Sequence, residues 1–296
     1  MLNLHALRLF HHVAELGSVT KAAERLNLSQ PAVTGQIKKL ERELGLQLLS
    51  PQGRGILLTE VGLKLSRDAG RLFSLEARIE QTIDDYRQGG LGSLRIAATY
   101  LPANFLLPSL IADYKKQNAG IDLRFTATSS ANAIELLLRF EADIAFIGGS
   151  QHTHPLLDRT LWHEDELWFV ARKDHPFAGR RTTLAEIVEE PFVFREQGSY
   201  AREQLQALCA VKRVPMPNGG LQMNGFGELL RVVSEGYGIA FLSASEARDG
   251  LERGALKRIY VEDVKLMNPI FTYSRKEPLS AQAVRFMDLL ADRRSG

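Results

Sequence analysis

Residues 17–60 constrain the fold of this chain more than any other segment, because they hold two helical patterns in close succession. Each pattern repeats apolar residues at steps of three or four, which places them on one face of a helix. The first pattern consists of Val19, Ala22, Ala23 and Leu26, and the second of Val33, Ile37 and Leu40. Asn27 marks a turn between them, Ser29 is a suitable N-cap, and Pro31 lies in the first turn that follows. The segment therefore predicts two short amphipathic helices joined by a turn.

The second helix carries polar side chains away from its apolar stripe, at Gln30, Thr34, Lys38 and Lys39. A helix that is buried on one side and presents amides, a hydroxyl and amines on the other can enter the major groove of DNA. A run with a glycine-centred tip follows at residues 51–55. A helical hairpin whose polar face is only solvated has the same pattern, so these residues alone leave both interpretations open.

Composition excludes several classes of protein. The chain has 296 residues, of which 45% are hydrophobic and 24% charged, and this is typical of a globular protein with room for two or more cores. No apolar run approaches the roughly 18 residues of a membrane span, and charged residues interrupt the N-terminal segment, so we expect neither a membrane segment nor a signal peptide. The single cysteine, Cys209, excludes an internal disulfide and fits a reducing cytoplasm.

The net charge of +2 gives no argument for nucleic-acid binding by itself. Residues 1–58 contain seven Lys and Arg against four Glu, a surplus of three. Phosphate binding requires cations on one surface rather than a high total. The charge of this segment is thus compatible with DNA binding but does not establish it.

Residues 59–88 predict one long helix, since they contain no proline and repeat apolar residues at steps of three, four or seven. We call this apolar series the seam; it consists of Val61, Leu65, Ala69, Leu72, Ile79, Ile83 and Tyr86, with Glu76 as its polar interruption. Such a series is typical of a coiled-coil helix, so it predicts a homodimer through the linker helix. A long helix that packs only on its own domain is the alternative.

Gly89, Gly90 and Gly92 end this helix, and an alternation of strands and helices follows. Strands are predicted at residues 94–98, 123–127, 143–147, 166–172, 192–195 and 270–275, helices at 106–116, 131–140, 200–210 and 280–293, and a helix-turn-strand unit at 228–242. This order indicates a parallel sheet flanked by helices. We therefore divide the chain into a candidate DNA-binding domain (1–58), a candidate linker and dimerisation helix (59–88) and an α/β domain (92–296).

Small hydroxyl, glycine and amide residues stand where several of these strands end. Open α/β sheets bind small molecules beyond the carboxyl ends of their strands, where helix N-termini present free amides. The candidate ligand-binding residues are Thr99, Tyr100, Ser129, Ser130, Gly149, Arg195, Ser199, Asn224 and Phe226. Serine and threonine also cap helices without any ligand. Their repetition at successive strand ends favours a pocket for a small anion.

Other residues that attract attention have ordinary interpretations. His152 and His154 stand at alternate positions, but a metal site needs a third ligand, and we expect no metal. Cys209 lies in an apolar helical segment and is better interpreted as a buried thiol than as a redox sensor. Because no catalytic triad, phosphate loop or carboxylate pair is evident, neither an enzyme nor a cofactor is expected. The alternative function is a cytoplasmic α/β enzyme or small-molecule carrier with a helical appendage.

Three stretches resemble the LysR-type transcriptional regulators. AAERLNLSQPAVTGQIKKLERELG resembles the winged helix-turn-helix of that family, GRGILLTEVG its wing and the start of its linker helix, and VSEGYGIAFL part of its effector domain. The resemblance spans essentially the whole chain. It implies an α/β fold with an N-terminal winged helix-turn-helix, a long linker helix and a two-lobed, type 2 periplasmic-binding-protein-like effector domain. Lobe I would span about residues 92–161 and 266–296, and lobe II about 162–265.

The resemblance also assigns DNA-binding residues. They are Ser29, Gln30, Pro31, Thr34, Gln36 and Lys38 in the recognition helix, with Arg54 in the wing. Glutamine can pair with adenine edges, and arginine is favoured in a narrow minor groove. The chain departs from the family at Gly35, where a longer polar side chain is common, and at residues 49–51, where the family usually has phenylalanine and arginine.

For the second domain, the resemblance implies a small-molecule effector, an anion or organic acid, in the cleft between the lobes. Arg195 would neutralise its carboxylate or oxyanion. The effector would control promoter binding or activation. The other implied partners are double-stranded DNA, a second copy through the linker helix, a homotetramer of such dimers, and RNA polymerase.

Overall fold

The computed structural model describes residues 2–52, 55–87, 92–149, 153–217 and 220–292. The chain separates into two compact units. The first comprises Met1–Gly92 with Leu138–Glu141, and the second comprises Ser93–Leu137 with Ala142–Gly296. The first unit is mainly helical and the second is α/β.

The first unit holds the helix pair expected from the sequence. Its elements are α1 (Leu4–Leu16), α2 (Val19–Arg25), α3 (Gln30–Leu44), the antiparallel hairpin β1 (Leu49–Gln52) and β2 (Gly55–Leu58), and α4 (Glu60–Arg87). Asn27 adopts a left-handed conformation (φ 53°) in the turn between α2 and α3. The Ser29 hydroxyl accepts a hydrogen bond from the Ala32 amide and so caps α3, as predicted. The apolar stripe of α1 is hard to recognise in the sequence because His11 occupies one of its buried positions.

One core joins the helices of the first unit. Its fully buried residues include Phe10 and Val13 of α1, Ile37 of α3 and Ala69 of α4. Burial of side chains as large as those of Phe10, Val13 and Ile37 contributes about 1.5–3 kcal/mol each. The beginning of α4 therefore belongs to the core of this unit.

The predicted seam on α4 divides into two parts. Leu65 and Ala69 pack into the core of the unit together with Phe73, so the alternative of a helix packed on its own domain holds for this stretch. Val61, Leu72, Ile79 and Ile83 are exposed, and Leu75 is exposed with them. The side chain of Tyr86 lies outside the described residues.

The second unit is built on one large sheet with flanking helices. Its strands are β3 (Ser93–Ala98), β4 (Asp122–Ala127), β5 (Ile144–Gly148), β6 (Leu157–Arg172), β7 (Arg181–Thr182), β8 (Phe192–Arg195), β9 (Leu221–Met223), β10 (Ile239–Ser243), β11 (Leu256–Val261) and β12 (Leu266–Arg275). Its helices are α5 (Pro108–Gln117), α6 (Ser130–Leu138), α7 (Leu184–Ile187), α8 (Tyr200–Lys212), α9 (Phe226–Ser234), α10 (Ala244–Glu252) and α11 (Ala281–Asp292), with a π-helical turn at Pro102–Leu106.

The strand order is β4-β3-β5-β12-β6-β10-β8-β9, and β11 pairs with β6 and β7. The parallel arrangement expected from the sequence occurs twice, in β4-β3-β5 and in β10-β8-β9. It is wrong for β6, which pairs antiparallel with β10, β11 and β12, and for β12, which also pairs antiparallel with β5. The reason is that β6 and β12 are long strands that run between the two parallel groups in opposite directions.

Each parallel group has its own core. Around β3 and β5 the core contains Leu94, Phe146 and Phe286. Around β8 and β10 it contains Phe192 and Phe241, among others. We call these two parts the first lobe and the second lobe; β6 and β12 connect them. Among the helices that the structure describes, none combines the length and apolar character that a membrane span requires.

Two glycine substitutions are expected to change the stability of the first unit in opposite directions. At Gly35, which is exposed, a Cβ would meet no atom within 4 Å, and alanine in a helix stabilises by about 1 kcal/mol relative to glycine. At Gly62 the Cβ would lie 2.2 Å from the Leu48 carbonyl oxygen, so alanine must displace backbone. In circular-dichroism melts of the full chain, we expect Gly35→Ala to raise the Tm of this unit and Gly62→Ala to lower it. A loss of stability in both variants would contradict this geometry.

Candidate nucleic-acid interface and ligand cleft

Helix α3 presents an exposed face opposite its buried stripe. Pro31, Gly35, Lys38 and Arg42 are all exposed and follow one another at steps of four, three and four residues, so they lie along one line of the helix. Arg42, which was not among the predicted contacts, belongs to this line by its spacing from Lys38. Because Gly35 has open space where a side chain would begin, the middle of the face is flat.

The other predicted residues of α3 surround this line. Gln30 is exposed at the first helical position, whereas Thr34 and Gln36 are half-buried at the borders of the core stripe. The Ser29 hydroxyl is 3.3 Å from the Ala32 amide, so its first role is to cap the helix. The structure therefore places the predicted residues on or beside one solvent-facing surface of α3.

Side chains fix the β1–β2 hairpin to α3. One oxygen of Glu41 accepts hydrogen bonds from the amides of Leu48 (2.7 Å) and Leu49 (3.1 Å). The Thr59 hydroxyl donates to the Gln47 carbonyl at 2.8 Å. Leu49, in the segment that departs from the family, packs against the core of the unit. Arg54 lies outside the described residues.

Charged groups also attach α4 to α1. Glu76, the polar interruption of the seam, forms an ion pair with Arg8. The Arg8 guanidinium lies 4.3 Å from the centre of the Phe73 ring, within the range of a cation–π contact. Glu76 thus interrupts the apolar series at a position where it pairs with α1 of the same unit.

In the second unit, a cleft of about 900 Å³ is lined by strand ends and helix N-termini from both lobes. Seven of the nine predicted ligand-binding residues line it: Thr99, Tyr100, Ser129, Ser130, Gly149, Arg195 and Ser199. Asn224 does not line it, and the side chain of Phe226 lies outside the described residues. The prediction thus found residues that the fold brings together from positions up to 100 apart in the sequence.

Further polar residues of the cleft were missed, among them Glu196, Glu203, Glu246 and Asn268. Glu196 directly follows β8 and Glu203 lies in the first turn of α8, so their positions resemble those of the predicted residues. Glu246 lies in the first turn of α10, directly after β10, so its position resembles that of Glu203. Asn268 lies within β12, and only the topology brings it to the cleft.

Arg195 is not a free cation in this cleft. Its Nε and Nη2 donate to the two carboxylate oxygens of Glu196 at 2.9 Å each, and its Nη1 lies 3.4 Å from Glu246 Oε1. Its guanidinium is also 4.9 Å from the centre of the Tyr100 ring. A carboxylate that binds Arg195 must therefore share it with two glutamates of the protein.

Glu246 is a buried carboxyl group, 6% exposed. Its Oε2 accepts a hydrogen bond from the Ser243 amide at 2.8 Å, as part of the cap of α10. Burial raises the pKa of Glu246 from 4.5 to about 7, and the carboxylates of Asp165 and Glu196 act in the same direction. The Ser243 amide and Arg195 oppose this shift. Glu246 is thus close to half-protonated near neutral pH.

Two polar atoms of the cleft lining are buried without a hydrogen-bond partner in the described parts of the chain: Ser199 Oγ and Asn268 Oδ1. The amide nitrogen of Asn268 donates to Ser243 Oγ at 2.9 Å, which orients the side chain. A buried polar atom without a partner costs about 1–3 kcal/mol. A ligand that bonds to these atoms would recover this free energy.

Two family models match the chain. The model for the bacterial regulatory helix-turn-helix protein, lysR family, matches residues 4–63, and that for the LysR substrate binding domain matches residues 87–295. The chain belongs to the LysR family of transcriptional regulators. As a LysR-type regulator, it is a DNA-binding protein with an effector-binding domain and not an enzyme, so the alternative of an α/β enzyme is overturned.

Relatives align with this LysR-type chain along its length. The HTH-type transcriptional regulator YeiE of Escherichia coli is 30% identical over 288 residues, covering 97% of this chain and 96% of that protein. The RuBisCO operon transcriptional regulator of Allochromatium vinosum is 30% identical over 290 residues, covering 97% and 95%. The fold is similar to that of full-length CbnR complexed with its target DNA, with a TM-score of 0.70, 23% identity, and coverage of 99% and 100%.

Cys209 of this LysR-type chain does not line the cleft. Cys209 is buried in α8, and burial raises the pKa of its thiol, which disfavours the reactive thiolate. His152 lies outside the described residues. Within the described ranges, no three side chains of the His, Cys, Asp and Glu types are grouped closely enough to hold a metal ion.

Glu246 is expected to make the free energy of unfolding fall as pH rises from about 4.5 to about 7. In this window the folded chain keeps a proton that the unfolded chain has lost, because the pKa is about 7 in the fold against an ordinary value of 4.5. The full shift corresponds to about 3 kcal/mol. Glu246→Gln should remove this slope, so the difference in the free energy of unfolding between the variant and wild type should increase with pH. Urea unfolding at a series of pH values measures this difference.

Glu252→Gln is the matched control, since Glu252 is an exposed residue of the same helix. Its unfolding free energy should follow the wild-type pH dependence. Parallel curves for Glu246→Gln and wild type would refute the assigned shift.

Proposed function

We propose that this LysR-type regulator reads its operator with the exposed face of α3 and the β1–β2 wing, and that a small effector in the cleft controls this binding. The observation that carries the proposal is the meeting of seven predicted residues, from strand ends of both lobes, around one cleft. Ligands of open α/β sheets bind at such strand ends. We retain the domains proposed from the sequence: 1–58 for DNA, 59–88 for the linker and 92–296 for the effector.

In the proposed DNA complex, Lys38 and Arg42 bind phosphates and Gln30 contacts base edges near the N-terminus of α3. Exposure of these three side chains supports the assignment. Gln36 and Thr34 approach DNA from the borders of the face, with Ser29 and Pro31 at its first turn and Arg54 in the wing toward the minor groove. Flanking phosphate contacts position the helix, and base contacts specify the sequence.

We propose a homodimer through α4, with two dimers forming a tetramer. The part of the seam that the first unit does not bury supports this assembly: Ile79 is 53% exposed and Ile83 46%. Exposed apolar side chains in a helical series are stabilised by a second copy of the helix. A dimer would present two α3 helices to half-sites separated by one or more helical turns of DNA.

The proposed effector has an acidic group, as in a small anion or organic acid. Helices α6 and α8 both begin at the cleft, so their free backbone amides and positive dipole ends lie at its wall. Ser130 in the first turn of α6 and Ser199 before α8 add hydroxyl groups. The regulator would act in the cytoplasm and communicate with RNA polymerase at the promoter.

Lys38→Ala is expected to weaken DNA binding and to make its salt dependence less steep. One lost phosphate contact reduces the slope of log K against log salt by about one unit. Fluorescence anisotropy of a duplex from the region upstream of the gene, titrated at several salt concentrations, measures both effects. Lys116→Ala is the control, because Lys116 lies on α5 with 80% of its side chain exposed. An unchanged slope in Lys38→Ala would exclude a phosphate contact.

Ile79→Glu is expected to dissociate the dimer, because it would place charges in the apolar contact between two α4 helices. Analytical ultracentrifugation of the full chain would show the shift toward monomer. Val284→Glu makes the same change at an exposed apolar position of α11 and should leave assembly unchanged. If Ile79→Glu sedimented as wild type does, the linker helix would not be the dimer contact.

A further inference from the structure

The ionisable groups of the cleft do not match a purely anionic ligand. Within the described lining, one cation, Arg195, stands against three carboxyl groups, those of Glu196, Glu203 and Glu246. Arg195 is bonded to two of these glutamates. Glu203 forms no ion pair with any described residue and lies in the first turn of α8, at the cleft. A negatively charged ligand would therefore meet carboxylates as well as helix N-termini.

We propose that the effector is a small zwitterion, in which a protonated amine accompanies the acidic group. Asn268 and Glu246 would bind the amine, and the N-terminus of α6 would bind the acid. This inference rests on the proposed function and deepens it, because it names the chemical class of the effector. The arrangement of acceptors and donors in the cleft carries it.

The amine site is assigned to Asn268 and Glu246 because both side chains are held by Ser243. Asn268 donates its amide nitrogen to Ser243 Oγ at 2.9 Å, and Glu246 Oε2 accepts from the Ser243 amide at 2.8 Å. The two side chains are thus neighbours at the cleft. Asn268 Oδ1 has no partner within the described structure although the residue is only 6% exposed. An unpartnered carbonyl oxygen beside a carboxyl group requires a donor, and an ammonium group supplies three.

The acid site is assigned to the start of α6, on the other lobe. Ser129 caps this helix by accepting from the Asn132 amide at 3.3 Å, so the first turn is well formed. Ser130 begins the helix and lines the cleft. Ser199 Oγ, buried and unpartnered, offers a further hydroxyl from the second lobe. The cleft therefore offers donors at the start of α6 and at Ser199 and acceptors at Asn268 and Glu246, which is the pattern that a zwitterion complements.

A competing arrangement keeps the effector purely acidic. If Glu246 is protonated, Arg195 keeps Glu196 as its only charged partner, and a carboxylate can compete for the guanidinium. The two proposals differ in how much the amine of a ligand contributes to its affinity. With an acid alone, replacing the amine of a ligand by a hydroxyl leaves the affinity unchanged or increases it.

The test uses the full-length protein and three matched sets of probes: the standard L-amino acids, the corresponding 2-hydroxy acids and the corresponding primary amines without a carboxyl group. Thermal shift at about 10 mM of each probe detects ligands with millimolar or lower Kd. Isothermal titration then gives Kd for every hit and its two counterparts. We expect at least one amino acid to bind, and its hydroxy acid and amine to bind at least about tenfold more weakly.

Three variants locate the binding. Glu246→Gln should raise the Kd of the amino acid about tenfold, because the amide keeps the shape of the carboxyl group and removes its charge. The ratio between the Kd values of the hydroxy acid and the amino acid should therefore become smaller. Glu252→Gln, on the exposed side of the same helix, should bind as wild type does. Ser130→Asp should abolish ligand binding, because its carboxylate would repel the acidic group of the ligand. The variant should still fold, since an acidic residue at a helix N-terminus is favourable.

The outcomes separate the two proposals. If hydroxy acids bind as tightly as amino acids and Ser130→Asp abolishes both, the zwitterion is refuted and the acidic effector stands. If an amino acid binds equally well to Ser130→Asp and Glu246→Gln, it binds elsewhere, and both assignments are wrong. If no probe from any set shifts wild type, an effector of amino-acid class is refuted.

Discussion

The antiparallel pairing of β6 and β12 is the interaction on which the second unit depends. These strands keep register from Leu266 opposite Leu167 to Arg275 opposite Leu157, with one irregularity between Ile270 and Phe271. The parallel strands of each lobe hydrogen-bond to this pair, through β5 on one side and β10 on the other. Because both lobes are built on the same two strands, the ends of their parallel strands open toward a common cleft.

The same pairing brings together two buried polar side chains, one of which, Asn268, lines the cleft. Asp165 of β6 stands opposite Asn268 of β12 in the register, and both are buried. Asp165 accepts a hydrogen bond from the Ser245 amide at 3.1 Å, and Asn268 donates to Ser243. Both therefore bind the junction of β10 and α10, the element that carries Glu246. A ligand that bonds to Asn268 thus acts on the connecting strands and on the second lobe at once.

The charged and polar side chains around Arg195 and Asn268 lack some of their hydrogen-bond and charge partners. Arg195, Glu196 and Glu246 neutralise one another only in part, since two carboxyl groups share one guanidinium. In a buried setting, unmatched charge and unpaired oxygens are costly, so they are compensated elsewhere or by a ligand. The folded unit without ligand therefore holds free energy that binding can recover. That is a physical basis for effector control in which the ligand favours one arrangement of the lobes over another.

Sequence patterns predicted the parts of this molecule that depend on local periodicity. The spacing of Val33, Ile37 and Leu40 predicted α3, and the strand ends predicted seven residues of the cleft lining, because the topology of open α/β sheets brings such ends together. They did not predict Glu246, in the first turn of α10 after β10, or Asn268, whose position follows from the long antiparallel strand β12. A periodic apolar series also does not show which of its residues pack within their own chain and which stay exposed for a partner. On α4, Ala69 is buried by its own unit whereas Ile79 is exposed.

If α3 reads DNA as proposed, the missing side chain at Gly35 shifts the source of specificity. Gly35 occupies the middle of the exposed line of α3, with Pro31 before it and Lys38 and Arg42 after it. Neither glycine nor proline offers a side-chain donor. In the proposed DNA complex, lysine and arginine would bind phosphates, and direct base reading would depend on Gln30 and on Gln36 at the border of the face. A flat centre would let the helix backbone approach the groove closely, so the shape and deformability of the DNA would contribute more to specificity. The β1–β2 hairpin, which Glu41 fixes to α3, would then set where the proposed wing meets the adjacent groove.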